Sequence, residues 1–287
     1  MKQVRLTSGS PRISYFLEGE GGAPVLMIMG FGMRGEAWRP QIDGLKARHP
    51  VLYFDARGLG DSDPVTGRLS MTEMAEDALR VLDDAGFERA HLVGVSMGGM
   101  VAQELALSMQ HRFHTLTLIA THAGGPLTWI PKATSMRDLA LVTFSDGPGR
   151  LERLERLLYP EAYRATCDRG ELSQRMRRAF GARPPQATLN AQHQAVMRHR
   201  AASRLGQLRL PTLVIRAGQD RMIAPEHTRR LASLIPHARE LVLPEAGHGL
   251  VFQSAAEINA ALLEHFEVAA QASRSETRGR VEPQVTG

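Results

Sequence analysis

The spacing of hydrophobic positions changes repeatedly over the first 120 residues. RISYFLEG (12–19) alternates apolar and polar positions, as a half-buried strand does, and runs into the turn-rich EGEGGAP. VLMIM (25–29) is apolar throughout, the pattern of a strand covered on both faces. The turn between them predicts a hairpin. A helix over 35–48 and a strand VLYFD (51–55) follow. In SMTEMAEDALRVLDDAG (70–86), Ser70 and Glu73 form a capping box, apolar residues recur at helical spacing, and Gly86 supplies the stop. Strand HLVGV (91–95), a helix over 97–109 and strand HTLTLIAT (114–121) complete this part. Strands alternating with helices predict an α/β fold, a mostly parallel sheet with helices on both faces.

The alternation stops after residue 124. Residues 125–205 are helical in pattern, interrupted by AGGP, SDGPG and GARPP, and contain no convincing strand. It resumes with strand 211–218, helix 225–235, strand 239–245 and helix 254–266, the last opened by a second capping box, Ser254 and Glu257. The expected organisation is a core of residues 1–124 and 206–268, a helical insertion over 125–205, and a polar, aperiodic tail over 269–287, expected to be disordered.

Composition narrows the function classes. The chain has 287 residues, 43% apolar and 23% charged, values ordinary for a globular protein with a substantial core. Its apolar runs are too short to span a bilayer, so no membrane partner is expected. The start MKQVRLTSGSPR lacks the apolar centre of a secretory signal, so a cytoplasmic location is expected. Cys167 is the sole cysteine, which rules out an internal disulfide, and the histidines lack ligand-spaced partners, so no metal is expected. The formal charge of +5 is unevenly placed. Residues 126–207 hold 14 Arg and Lys against 7 Asp and Glu, and the remainder holds 21 against 23. The excess is spread through helical sequence with acids among it, which reads as a solvated face, with attraction of an anionic substrate as the alternative, and no nucleic-acid motif accompanies it. No glycine loop has the spacing of a nucleotide site, and no cofactor is expected.

The candidate chemistry lies at strand ends. Gly94-Val95-Ser96-Met97-Gly98 fits G-x-S-x-G, a serine on a sharp turn between a strand and a helix. A serine hydroxyl needs a base, and the base needs an orienting acid. Asp220 follows the strand 211–218, and His248 follows the strand 239–245 in the glycine-flanked loop EAGHGL. Ser96, Asp220 and His248 thus fall at three strand ends, where reactive groups of open α/β sheets gather.

With MGFG (29–32), FDARGLGDSD (54–63), GVSMGG (94–99), GQDRMIAPEH (218–227) and GHG (247–249), the chain resembles α/β-hydrolases of the small-molecule esterase, enol-lactonase and cofactor-free haloperoxidase type, over roughly residues 10–268. The resemblance implies Ser96 as nucleophile, His248 as general base and acid, Asp220 as its orienter, and the 125–205 block as a cap over the pocket. It also implies that Asp55 and Arg57 organise a loop rather than react. Many relatives begin the oxyanion loop with His-Gly, where this chain has Met29-Gly30. The donors there are backbone N–H groups, assigned to Phe31 and Met97, with Gly32 as the alternative to Phe31. Gly30, Gly32 and Trp129 are the expected pocket residues. The implied reaction is hydrolysis of a small, fairly apolar ester; enol-lactone hydrolysis, C–C bond hydrolysis and perhydrolysis use the same three residues. A ligand-binding receptor on this scaffold, with little turnover, is the rival from another class.

Overall fold

Strand β1 (Arg5–Leu6), β2 (Ser14–Glu18), β3 (Val25–Ile28), β4 (Val51–Phe54), β5 (Ala90–Val95), β6 (Phe113–Ile119), β7 (Thr212–Ala217) and β8 (Arg239–Leu243) form one sheet in the order β1-β2-β4-β3-β5-β6-β7-β8. β1 and β2 pair antiparallel at one edge, and β2 pairs antiparallel with β4; every other pairing is parallel. These relations come from a computed structural model that describes residues 3–125, 142, 149–180 and 183–279.

The hairpin expected between β2 and β3 does not form. β2 lies against β4, with Tyr15 opposite Phe54, while β3 is enclosed between β4 and β5. The glycine-rich turn carries the chain past β4 instead of folding it back. Glu20 N–H donates to Lys46 O at 3.4 Å and Gly22 N–H to Arg48 O at 2.9 Å, which seats the turn on the segment leading into β4. A fully apolar VLMI strand needs cover on both faces and neighbours on both edges, and only the sheet interior supplies both. All four of its residues are buried.

Successive side chains of the central strands point to opposite faces, and each face has its own helices. Leu26, Leu52 and Leu92 join α2 (Met71–Asp84) and α3 (Met97–Ser108) in one core. Val25, Val51 and Val93 join α1 (Arg39–Leu45) and the C-terminal helix in the other. The Ser70–Glu73 box caps α2 as the sequence implies, in both directions. Between β6 and β7 lie α4 (Arg150–Leu158), α5 (Glu161–Thr166), α6 (Arg169–Phe180) and α7 (Gln186–Arg198), with a small apolar cluster of their own around Leu157, Leu172 and Met176. After β7 come α8 (Pro225–Leu234) and, past β8, α9 (Leu250–Gln253) and α10 (Ala255–Gly279).

The chain end departs from expectation. Residues 269–279, read from sequence as part of the tail, continue α10 to Gly279. Their run of Ala, Gln, Ser, Glu and Arg has good helix formers and no Pro or Gly before 279, so a helix already anchored in the core propagates through it. Residues 280–287 lie outside the described residues. Ser254 precedes α10, but among the described residues its side chain makes no cap hydrogen bond to Glu257, and the second capping box is not formed. No helix of the described residues is long and apolar enough to cross a membrane.

The contact between α3 and β3 is among the tight backbone crossings of the fold. A Cβ on Gly98, in the first turn of α3, would lie 2.1 Å from the Ile28 carbonyl oxygen, which belongs to a central strand and cannot move aside. Gly98→Ala is therefore expected to cost about 1–3 kcal/mol, read from the urea midpoint. An unchanged midpoint would contradict this packing.

Buried histidines give the fold an acid limit. His91 stacks on Phe266 with ring centroids 4.0 Å apart, and burial, reinforced by His114 and His49, pushes its pKa down to about 3. Burial likewise lowers His122 to about 3 and His265 to about 4. Unfolded histidines accept a proton near 6.5 and these do not, so stability is complete above that pH and falls as pH drops from about 6.5 towards 3. Each such group contributes a slope of about 1.4 kcal/mol per pH unit in that window. Urea unfolding at stepped pH is expected to show a slope shallower by about one proton in His91→Phe; identical slopes would exclude His91 as a contributor.

Candidate active site

Ser96 occupies the single residue between β5 and α3, at φ 54° and ψ −122°. A non-glycine residue holds such a conformation only when its surroundings enforce it. Here the backbone does so. Ser96 N–H donates to Ile119 O on β6 at 2.9 Å, and its carbonyl accepts from Gly99 N–H at 3.0 Å and from the Thr121 hydroxyl at 2.7 Å. A Cβ on Gly94 would meet the Gly98 carbonyl oxygen at 2.4 Å, so both glycines of the motif are there for the close crossing of strand and helix.

The turns after β7 and β8 bring two groups to this hydroxyl. His248 Nε2 lies 3.0 Å from Ser96 Oγ, and His248 Nδ1 lies 2.7 Å from Asp220 Oδ2. Asp220 Oδ1 is separately occupied, accepting the N–H groups of Met222 and Ile223, both at 2.8 Å. An acceptor at Nδ1 keeps the imidazole proton there and leaves Nε2 to accept from the serine hydroxyl. Asp220 and His248 are 3% and 7% exposed, so water competes little for these bonds. The arrangement can move a proton off Ser96 and stabilise the imidazolium that results.

The glycines beside His248 have a steric cause. A Cβ on Gly249 would lie 2.4 Å from the Tyr159 ring, and one on Gly247 would lie 2.4 Å from the Leu158 carbonyl oxygen. Gly249 N–H donates to that same carbonyl at 2.9 Å. The end of α4 thus rests directly on the histidine loop.

Two backbone N–H groups near Ser96, those of Phe31 and Met97, have no acceptor among the described residues. The loop carrying Phe31 is adjacent, since a Cβ on Gly30 would sit 3.3 Å from Ser96 Cβ. Gly32 is different: its N–H donates to Gln192 Oε1 at 2.8 Å. Of the two alternatives left by the sequence, Phe31 is the one whose N–H is uncommitted.

A cavity of about 120 Å³ opens over Ser96 and His248. Gly30, Phe31 and Gly32 line it, together with Met29, Val95, Met222, Val251 and Phe252 from the core and Leu154, Leu158, Tyr159, Phe180 and Leu189 from the insertion. Burial pushes the Tyr159 phenol up, so it faces the cavity uncharged. Arg150 is the one Arg or Lys among the described lining residues, and its guanidinium donates to Phe180 O at 3.0 Å. Met97 contributes its backbone to the turn while its side chain is buried in the core. Trp129, also expected at the pocket, lies outside the described residues. Asp55 and Arg57 organise their loop: Asp55 Oδ1 accepts Gly35 N–H at 2.8 Å, and Arg57 pairs with Asp77 at 2.5 Å. The sequence reading missed Gln192 and the aliphatic wall from α4. Nothing in the sequence distinguishes a glutamine that caps a loop 160 residues away from its polar neighbours in QATLNAQHQ.

Comparison with known proteins identifies the family. The chain is 33% identical over 232 residues to "Putative carbamate hydrolase RutD" of Azorhizobium caulinodans, covering 80% of this chain and 86% of that one. It is 30% identical over 265 residues to a 2-hydroxy-6-oxononadienedioate/2-hydroxy-6-oxononatrienedioate hydrolase of Burkholderia vietnamiensis, covering 88% and 90%. The structure resembles a thermophilic esterase from Thermogutta terrifontis with a TM-score of 0.78 at 26% identity, covering 93% and 99%. A family model described as alpha/beta hydrolase fold matches residues 23–255. The order of the strands, the serine turn and the family match over most of the chain lead to one assignment: this chain belongs to the α/β hydrolase fold family.

Proposed function

We propose that this protein is a serine hydrolase that cleaves a carboxylic ester of a small, fairly apolar substrate through an acyl-enzyme. The observation that carries the proposal is the unbroken series from Ser96 Oγ to His248 Nε2 at 3.0 Å and from Nδ1 to Asp220 at 2.7 Å, buried beneath an apolar cavity. His248 Nε2 takes the Ser96 proton as Oγ attacks the ester carbonyl carbon. The carbonyl oxygen becomes an oxyanion and receives the N–H groups of Phe31 and Met97, each contributing about 10²–10³ in rate. Collapse of this intermediate breaks the bond to the alcohol, which leaves with the proton from Nε2. Water then gives a proton to Nε2 and attacks the acyl carbon. The acid departs as Ser96 recovers its proton.

The apolar lining favours an uncharged acyl group and assigns recognition to shape rather than to ion pairing. Carbamate hydrolysis is the second reading, favoured by the RutD relative, and it requires the same attack on a carbonyl with the same donors. The relative named for a dienedioate makes C–C hydrolysis of a dianion a third chemistry on this fold, but one cationic residue on the described lining suits such a substrate poorly.

Hydrolysis of p-nitrophenyl esters from acetate to decanoate, with an N-aryl carbamate in parallel, tests the proposal. The rate is expected to peak at one chain length, to exceed that on the carbamate, and to collapse in Ser96→Ala. A wild-type rate no higher than that of Ser96→Ala on every substrate overturns it. Asp220→Asn gives a sharper test. Because Met222 and Ile223 N–H groups require an oxygen at the Oδ1 site, the carboxamide nitrogen must face His248. That forces the imidazole proton onto Nε2, where it cannot accept from Ser96, and kcat is expected to fall by about 10⁴. A loss below about tenfold would show that Asp220 does not set the tautomer.

A further inference from the structure

We propose that Gln192, on the insertion helix α7, is a positioning residue that sets the oxyanion-donor turn and makes its shape depend on how the insertion is seated. The inference rests on the serine-hydrolase reading above and extends it to a residue that never touches the reacting atoms.

The turn spans Gly30 to Met33 and is closed by Met33 N–H donating to Gly30 O at 3.2 Å. Gly32, its third residue, has φ +65°, a conformation glycine adopts freely. A short turn of this kind has a competing form in which the peptide between its second and third residues is rotated over, and glycine lowers the cost of either. The local sequence therefore does not choose between them. Gln192 makes the choice. Its Oε1 accepts the Gly32 N–H at 2.8 Å, fixing the direction of the peptide that joins Phe31 to Gly32. The side chain is wholly buried, so water cannot substitute for it. The amide cannot be turned over, because its NH₂ would then face the Gly32 N–H, donor against donor. Nε2 has no acceptor among the described residues. The oxygen alone gives this residue a task, and it is directed at the turn.

Neighbours on the same face of α7 reinforce the seat. A Cβ on Gly32 would approach Leu189 Cδ2 to 3.1 Å, and one on Gly58 would lie 2.0 Å from the Thr188 hydroxyl. Thr188, Leu189 and Gln192 thus lie on two glycine loops of the core at once. Engaging Gly32 also removes its N–H from competition with that of Phe31, leaving one donor from this loop. Since Leu189 shares the cavity wall with Phe31, a substrate that displaces α7 disturbs the turn, and one that fits beneath it leaves the donor aimed.

The test compares wild type, Ser96→Ala, Gln192→Met and Gln192→Glu on the best p-nitrophenyl ester, with phenylboronic acid as a tetrahedral mimic. Methionine keeps the volume and removes the acceptor; glutamate, which complete burial holds as the neutral acid, keeps a carbonyl oxygen in the same place and puts a hydroxyl where the unpartnered nitrogen stood. The expected result for Gln192→Met is a kcat about tenfold lower, a KM within about twofold, and boronate affinity reduced in proportion to kcat. Gln192→Glu is expected to stay within about threefold of wild type. An unchanged kcat in Gln192→Met overturns the proposal. So does a parallel loss of kcat, KM and melting temperature that Gln192→Glu fails to rescue, which assigns Gln192 to packing. If the wild type shows no Ser96-dependent turnover, the hydrolase reading itself fails and this inference falls with it.

Discussion

The first turn of α3 touches the carbonyl end of β3 with no side chain between them, and the remainder of the site is arranged around that contact. Helix and strand can approach this closely only because Gly94 and Gly98 present bare Cα atoms at the crossing. The connection is left with one residue, Ser96, which must take a backbone conformation that side chains disfavour. That cost is met by hydrogen bonds to β6 and Thr121, elements whose own positions are set by the sheet. A loop serine would wander. One held at a strand end by hydrogen bonds to Ile119, Gly99 and Thr121 stays in place, so His248 and Asp220 need only be placed relative to the sheet.

Division of labour follows from the topology. The parallel strands supply fixed points at their carboxyl ends, and the turns beyond β5, β7 and β8 carry Ser96, Asp220 and His248. The insertion supplies no member of the Ser96–His248–Asp220 series, but it rests on the loops that do. Leu158 accepts the Gly249 N–H beside the histidine, and Gln192 accepts the Gly32 N–H beside the donor turn. Its aliphatic residues also form the wall facing Ser96. The cavity wall and the Gly30–Met33 turn are therefore connected through the same insertion.

Much of this organisation was legible in the sequence because it depends on local pattern. The strands VLMI, VLYF and HLVGV are buried on both faces and read as continuous apolar runs; the Ser70–Glu73 box is a contiguous motif; and the strand-end positions of Ser96, Asp220 and His248 follow from alternation alone. What could not be read depends on distant partners. The β2–β3 segment looks like a hairpin until the turn's contacts with Lys46 and Arg48 are known, and no feature of the strands themselves reports those contacts. The last helix outruns its apolar pattern because propensity and a firm anchor sustain it beyond the core. Gln192 resembles any solvated helix residue in sequence, and only the fold shows that it is buried against a glycine turn. The choice between Phe31 and Gly32 as donor likewise turns on that one long-range bond.

Covalent capture of Ser96 tests the central claim most directly. A fluorophosphonate transfers its phosphonyl group to an activated serine and loses fluoride, and the adduct is counted by intact-protein mass spectrometry and located by peptide mapping. One adduct per chain is expected, on Ser96, formed quickly by the wild type and absent from Ser96→Ala. Labelling that is no faster than that of an exposed serine, or that persists in Ser96→Ala, would contradict it.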